Sequence, residues 1–509
     1  MGRFAVVIGL LWCAAALAQS TLPATTSPAT ETVTTLPANA PTTRPAIVPS
    51  TLPATTTSAG LSDKQLLSLC QHELLKQFQP EDSAKYVAAH DLLESFFAAA
   101  TQKDRAAIIT QLESTGLDAN ILGRLTRIRR AWQELSPGTY YINDTFGRYE
   151  VRYFLGVPKT YTRMAASPLV IVLPTADAFL AKPPPDNLGV TKIYRDWMTE
   201  ELDRHHDALV LMPLLNLDEL YGPSRAGMNS VIQPMLHAAD QVNIDPQRVY
   251  LMGHSLGAHA VWNIALHYPT YFAAIAPLAG GANEPWQRVR LMNLSNILPV
   301  VWHDADDVVI PVDASRSLIR VLQNMKLDVQ YTETTHVGHV PPPQVINQIC
   351  ETMRARSREL YPADVSIQSN RREAAFNRLD WVQMYQPIRP GPEQSLRLQH
   401  GTGPMVINQN TCSIKAVLAG NKVTATTDNV EVMRFYFNDQ MVNFKQPVVV
   451  AVNGRVRFEG FLKPNIGEML KDQIFLGRGW RYFTSYVEVD FGGPPSIKPT
   501  SKPTTRSAK

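Results

Sequence analysis

Charge is scarce in this 509-residue chain: Asp, Glu, Lys and Arg make up 18% of it, against roughly 25% in an average soluble protein. The 48 basic and 45 acidic residues nearly cancel, leaving a formal charge of +3. Nucleic acid is thereby excluded as the main partner, because neutralising a phosphate backbone needs a clustered excess of Lys and Arg. Cysteine is scarcer still. Four are present, and Cys13 falls in an N-terminal leader, so the remaining Cys70, Cys350 and Cys412 allow at most one internal disulfide. Disulfides are not the framework of the fold. No segment beyond the leader is apolar enough to span a bilayer, and there is no phosphate loop or dinucleotide fingerprint. The histidine pairs His205-His206 and His336/His339 lack Cys, Glu or Asp at metal-ligand spacing. No metal or other cofactor is expected.

What the chain does have is apolar bulk, with 45% hydrophobic residues, and a length that allows about three domains at roughly 150 residues each. The first residues read Met-Gly-Arg, then an apolar run from Phe4 to Leu17, then Ala16-Leu17-Ala18. This is the grammar of a secretory signal cleaved after Ala18, and it places the mature protein outside the cytoplasm, secreted or periplasmic. Residues 19–60 are Thr, Pro, Ala and Ser with Thr-Leu-Pro-Ala recurring at 21, 35 and 51. Such a stretch buries too little apolar surface to offset its backbone entropy and reads as a disordered linker.

From 61 to 135 the pattern is helical, about four helices, opening on a capping box of Ser62 and Gln65, with Leu66, Leu67, Leu69, Leu74 and Leu75 as the first apolar face and Gly116 as punctuation. From about 139 to 360, short apolar runs alternate with helical segments, the mark of strands buried on both faces of a parallel sheet: 169–173, 208–212, 248–252, 272–278, 297–302 and 329–332, preceded by strand-like runs at 140–143 and 149–155. Beyond Tyr361 the periodicity turns to two, and Asn453-Gly454 marks a tight hairpin. Residues 361–492 are therefore expected to be all-β, and 493–509 a disordered tail. The predicted fold class is α/β with a small helical region before it and a β-domain after it.

The richest segment is Arg248-Val-Tyr-Leu-Met-Gly-His-Ser-Leu-Gly-Ala258. Gly253-His254-Ser255-Leu256-Gly257 fits G-x-S-x-G, and a buried strand runs into it while a helix leaves it, the strand-turn-helix that presents a nucleophile. Serine is a poor nucleophile at neutral pH and needs a base whose tautomer is fixed by a third group. In this topology the order is Ser, acid, His, each at the C-terminal edge of a later strand. Two loops fall there. One holds His303, Asp304, Asp306 and Asp307; the other holds His336 and His339.

On these residues the chain resembles the α/β-hydrolase superfamily over about 139–360, in particular secreted bacterial esterases and the prolyl-oligopeptidase-like and polyhydroxyalkanoate-depolymerase-like serine hydrolases. The resemblance implies an acid four residues after a His in a loop H-G-x-x-D-x-x-V-P. His303 to Pro311 fits with Asp307 as the acid, Asp306 as rival, and Asp304 where the family has Gly. It implies His339 as the base, closing a short Gly-containing loop, with His336 the runner-up. The oxyanion hole would take the Leu256 N–H and, from the loop Leu173-Pro174-Thr175-Ala176, that of Ala176, where relatives usually carry His-Gly. Trp286, Trp302 and Tyr221 are candidates for pocket walls or core, and the loop from Leu214 to Arg225 shapes the pocket.

The leading expectation is a secreted serine esterase working through an acyl-serine on a small-molecule or polymer-linked ester. Two others stay open: a serine peptidase of the prolyl-oligopeptidase type, and a degenerate hydrolase domain that binds polysaccharide or cell-envelope components. The C-terminal β-region is open to homodimer or cell-envelope contact. Every proposed catalytic group precedes Tyr361, so that region is read as separable from the chemical step.

Overall fold

A computed structural model describes residues 60–173, 175, 198, 200–214, 225–282, 284–371, 373–396 and 405–491. The leader, nearly all of the linker and the tail lie outside the described residues, as do Ala176 and Tyr221. Among the described residues no helix is long and apolar enough to cross a membrane.

Four helices open the chain: α1 Asp63–Leu74, α2 Ser83–Ala98, α3 Gln102–Ser114 and α4 Ala119–Leu125. The Ser62–Gln65 capping box forms in full, each side chain bonding the other residue's backbone N–H. Leu66, Leu69 and Leu74 point into the helical core, whereas Leu75 is 68% exposed. Leu75 stands just past the end of α1 at φ 51°, so the helical period that placed it on the apolar face no longer applies.

An eight-stranded sheet follows: β1 Gly138–Phe146, β2 Tyr149–Val157, β3 Ser167–Leu173, β4 Leu209–Pro213, β5 Ile244–His254, β6 Ala274–Leu278, β7 Leu298–Asp304 and β8 Gln330–Thr334. Its spatial order is β1-β2-β4-β3-β5-β6-β7-β8, antiparallel through β4 and parallel from there on. Helices α5 Arg225–Gln241, α6 Leu256–His267 and α7 Asp313–Asn324 cover one face, packing on Ile171, Leu211 and Leu251; α8 Pro343–Arg354 covers the other, packing near Val170, Tyr250 and Trp302. Consecutive strand residues thus feed opposite cores, which is why these strands read as unbroken apolar runs.

The C-terminal part holds β9 Asp364–Ser369, β10 Arg378–Leu379, β11 Val382–Pro387, β12 Glu393–Leu396, β13 Met405–Asn408, β14 Cys412–Ala419, β15 Lys422–Asp428, β16 Val430–Phe437, β17 Val448–Val452, β18 Arg455–Gly460 and β19 Ser485–Asp490. Sheets β18-β17-β15-β14-β9 and β10-β11-β16-β19 face each other across a core that includes Ile414, Val423 and Val450 from one and Met433, Phe435 and Val487 from the other. The hairpin at Asn453-Gly454 forms, both residues at positive φ. An all-β reading of this region is corrected by one helix, α9 Ile466–Leu476. Asn465 caps it, accepting the Glu468 N–H at 2.8 Å, and its buried Ile466, Met469 and Leu470 join the core of the N-terminal helices. The spacing of those three residues is helical, but strands on either side mask it.

The regions share cores and buried ion pairs. Trp480 and Phe376 belong to the core of the eight-stranded sheet, and the fully buried Asp380 accepts two hydrogen bonds of 2.7 Å from Arg358 and faces Arg481 at 3.2 Å. Arg478 reaches Glu94 on α2 with two hydrogen bonds of 2.8 Å. Ending the chain before residue 361 would expose these cores and strand Arg358. Asp380→Ala, leaving two guanidiniums buried without a counter-charge, should cost about 3–5 kcal/mol, read as a lowered midpoint in urea unfolding. A loss below 1 kcal/mol would show that the network is not holding the parts together.

Candidate active site

Strand β5 runs into Ser255, whose backbone is forced to φ 58° and ψ −117° before α6 begins at Leu256. Such a conformation is costly for a residue with a side chain and persists only where its surroundings impose it. Two glycines make the turn fit. A Cβ on Gly253 would lie 2.7 Å from the carbonyl of Gly257, and one on Gly280, after β6, would lie 2.8 Å from the Ala258 Cβ. The Ser255 N–H is tied to the Leu278 carbonyl at 2.9 Å, so the strained residue is bonded to the neighbouring strand.

His339 Nε2 stands 2.9 Å from Ser255 Oγ, and His339 Nδ1 donates to Asp307 Oδ2 at 2.7 Å. Asp307 is buried. Its other oxygen accepts the N–H groups of Val309 and Ile310 at 2.8 and 3.0 Å, and His303 Nε2 stands 3.2 Å from Oδ2. Burial by itself would raise the Asp307 carboxyl, but bonds from His303, His339 and the Ile310 N–H outweigh it and hold the group well below the usual carboxylate range. Because the folded value is the lower one, the ionised carboxylate stabilises the native state above the unfolded value, roughly pH 4. That stabilisation is lost as pH falls further. With Nδ1–H given to a permanent anion, the tautomer leaves Nε2 free to accept the serine proton.

The rivals pair with each other at the surface. Asp306 Oδ2 accepts the His336 backbone N–H at 2.8 Å and faces its Nδ1 at 3.0 Å, while the His336 side chain is 89% exposed. A serine hydroxyl bonded to imidazole, imidazole to a buried carboxylate, and the nucleophile at a positive-φ turn after the central strand of a β1-β2-β4-β3-β5-β6-β7-β8 sheet together decide the fold. The central domain has the α/β-hydrolase fold. An esterase family model matches residues 231–326, which include Ser255 and Asp307. Among solved structures, a thermostable esterase is 26% identical at a TM-score of 0.36, over 43% of this chain and 63% of the other. The match thus spans less than two thirds of that esterase. A ferulic acid esterase is 13% identical at TM-score 0.31, over 43% and 98% of the two chains. Thermogutta terrifontis esterase 2 is 11% identical at TM-score 0.32, over 42% and 92%. No curated protein matches.

Two residues that sequence reasoning did not assign hold the histidine of this α/β-hydrolase in place. Asp304, in the position where the family loop has Gly, is fully buried, and its carboxylate accepts Thr334 Oγ1–H at 2.7 Å and the N–H groups of Asp306, Gly338 and Val337 at 3.0, 3.0 and 3.2 Å. Burial opposes its ionisation, but those four donors prevail and lower its pKa. From the other side, His254 Nε2 donates to the His339 carbonyl at 2.7 Å, with the two rings 4.8 Å apart. The x in Gly-x-Ser therefore bonds the loop that carries the base. In the sequence the only trace of this is an Asp where relatives carry Gly, because most of its partners are backbone N–H groups that no side-chain pattern announces.

Of the two residues expected to form an oxyanion hole, only Leu256 lies among the described residues. Leu256 is the first residue of α6, where an amide has no intrahelical acceptor and the helix dipole favours negative charge. Ala176 lies outside the described residues. Trp302 is core, fully buried with its Nε1 donating to Thr334 Oγ1 at 3.1 Å, and Trp286 is buried. His205 is buried 3.5 Å from Glu201 and 3.8 Å from Cys350 Sγ. Among the described residues no group of three His, Cys, Asp or Glu could hold a metal. Cys70, Cys350 and Cys412 are free and buried in three different cores.

Asp304→Asn would replace one of the two acceptor oxygens by an NH2 group, setting a donor against either the Gly338 and Asp306 N–H groups or the Val337 N–H and Thr334 Oγ1–H. It should lower kcat on the order of 10- to 100-fold by displacing His339, with KM little changed and a cooperative thermal transition retained. Asp306→Asn and His336→Ala should each leave kcat within about threefold of native, as expected for exposed pairs. The reverse ranking in aryl-ester kinetics would overturn the assignment of this loop.

Proposed function

We propose that the protein is an exported serine esterase that hydrolyses carboxylic esters through an acyl-Ser255 intermediate. The observation that carries this reading is the unbroken relay Ser255 Oγ, His339, Asp307, with contacts of 2.9 and 2.7 Å. Ser255 Oγ attacks the ester carbonyl carbon as His339 Nε2 takes its proton. The tetrahedral oxyanion is received by the Leu256 N–H at the start of α6. His339 then gives the proton to the leaving alkoxide, and the alcohol departs. A water, deprotonated by the same nitrogen, attacks the acyl carbonyl, the acid leaves, and the proton returns to Ser255. Asp307 stays ionised throughout, fixing the ring and stabilising the imidazolium. Substrates are small-molecule or polymer-linked esters.

Ser255→Ala should abolish turnover and fluorophosphonate labelling with little change in thermal unfolding, since it removes one hydroxyl and no core volume. Asp307→Asn should cost on the order of 10⁴ in kcat, because an amide can hold the ring in the wrong tautomer. With Asp307 ionised far below neutrality, the acid limb of kcat/KM should fall with unit slope, one proton and not two. Activity that survives Ser255→Ala, or that EDTA removes and zinc restores, would sink the acyl-serine mechanism.

The export part of the proposal rests on the signal grammar of residues 1–18 and the uncharged stretch after it. Edman sequencing of protein recovered outside the cytoplasm of its host should begin near Gln19. Recovery of a soluble cytosolic form with Met1 intact would end that part.

A further inference from the structure

Strand alternation puts two different surfaces on the sheet β10-β11-β16-β19. Met433, Phe435 and Val487 face the inner core, whereas Arg434, Tyr486 and Glu488 stand on the outer face, with Tyr436 in the same row but only 6% exposed. Tyr436 lies directly opposite Tyr486, and Arg434 opposite Glu488 and Gln383. The Arg434 guanidinium sits between two rings, 4.7 Å from the centre of Tyr385 and 4.4 Å from that of Tyr486. Tyr385 is 39% exposed and Phe475, reaching over from α9, 43%.

Tyr385 lines two cavities, one on this face and one at the end of the sandwich where residues of both sheets meet. The first, about 340 Å³, is walled by Tyr385, Tyr436, Phe475 and Tyr486. The second, about 470 Å³, has Tyr385, Ile388 and Pro387 on its walls together with Asn377 and Asn408. Asn408 is only 4% exposed, yet its Oδ1 meets no donor. A buried acceptor without a donor is costly unless a ligand or water provides one.

The charges define the occupant. Each cation lining the cavities already has a carboxylate: Arg434 with Glu488 at 2.6 Å, Lys471 with Glu468 at 2.8 Å, Arg371 with Glu373 at 2.6 Å, and Arg378 with Asp472. Glu431 adds one more negative group to the second cavity. An anionic ligand would meet no unbalanced positive charge. What remains is aromatic faces interleaved with planar amides, guanidiniums and carboxylates. The apolar face of a sugar ring packs against tyrosine, and its paired hydroxyls match the spacing of two-atom polar groups. Two cavities that share Tyr385 as a wall suit more than one ring.

We propose that the outer face of this sheet binds a neutral oligosaccharide of two or more sugar units. The inference does not depend on the esterase reading, and its test uses a catalytically silent protein. The full chain carrying Ser255→Ala is applied to a glycan array of neutral and acidic oligosaccharides, and the strongest neutral binder is then titrated by calorimetry. Adding Tyr385→Ala, or separately Phe475→Ala, should weaken that binding about tenfold or more, the size of a lost aromatic contact with its buried area. Both side chains are exposed enough for the fold to survive, and p-nitrophenyl acetate turnover of chains with Ser255 intact should be unchanged by either. Absence of any neutral binder would overturn the proposal. So would binding restricted to acidic glycans and abolished by salt, or affinity unaltered in both variants.

Discussion

The hydrogen bond from His339 Nε2 to Ser255 Oγ joins positions 84 residues apart in sequence, and the rest of the hydrolase domain is arranged to hold its two ends still. One end is fixed by strain. Ser255 can keep φ 58° only because β5 on one side, α6 on the other and the bond to the Leu278 carbonyl leave it no alternative. The other end is fixed by charge. The loop after β8 has little apolar anchorage, with Val337 and Val340 exposed, and so it hangs on carboxylates: Asp307 holds the imidazole, Asp304 the backbone just before it, and Asp306 the turn before that. Three acids in one tetrapeptide thus do three different jobs, decided by which way each side chain leaves the backbone.

That division shows why the sequence was legible in some places and opaque in others. The fold class could be read because parallel strands buried on both faces leave unbroken apolar runs, and glycine at 253 is demanded by the 2.7 Å contact its Cβ would make with the Gly257 backbone. The spacing of the Ser, Asp and His loops followed from strand order. Choosing among Asp304, Asp306 and Asp307 by motif put Asp307 beside His339. The functions of Asp304 and His254 were opaque, since both act on backbone groups, and backbone groups carry no sequence signal. Helix α9 was hidden for a related reason. Its apolar residues complete a core built by helices more than 300 residues earlier, and local periodicity does not say which distant surface a stripe will meet.

Scarcity of charge acquires a meaning in the folded chain. A protein with 18% charged residues nonetheless buries Arg290, Arg358, Arg371, Arg378, Arg481, Asp304, Asp307, Asp380 and Asp472. Buried ion pairs recover little net stability, because desolvation consumes most of the Coulomb gain. Their value lies in direction. Arg358, at the end of the hydrolase domain, has its Nη1 on the carbonyls of Phe272 and Asn296 and its Nη2 on Asp380, so the sandwich can sit on the sheet in one orientation only. A wholly apolar interface of the same area would tolerate sliding.

The same logic separates chemistry from binding along the chain. Residues that must not move relative to one another, Ser255 and His339, are set at the C-terminal edge of a sheet whose strands β4, β6 and β7 are completely buried, and the polar bonds that tune them are short. The outer face of the C-terminal sheet is built oppositely, with half-exposed rings and carboxylate-paired cations in open cavities. Arg358 and Asp380 tie the sandwich that carries this face to the sheet that carries Ser255. On the binding proposal made above, energy gathered on the sandwich would raise the local concentration of an attached ester without entering the transition state.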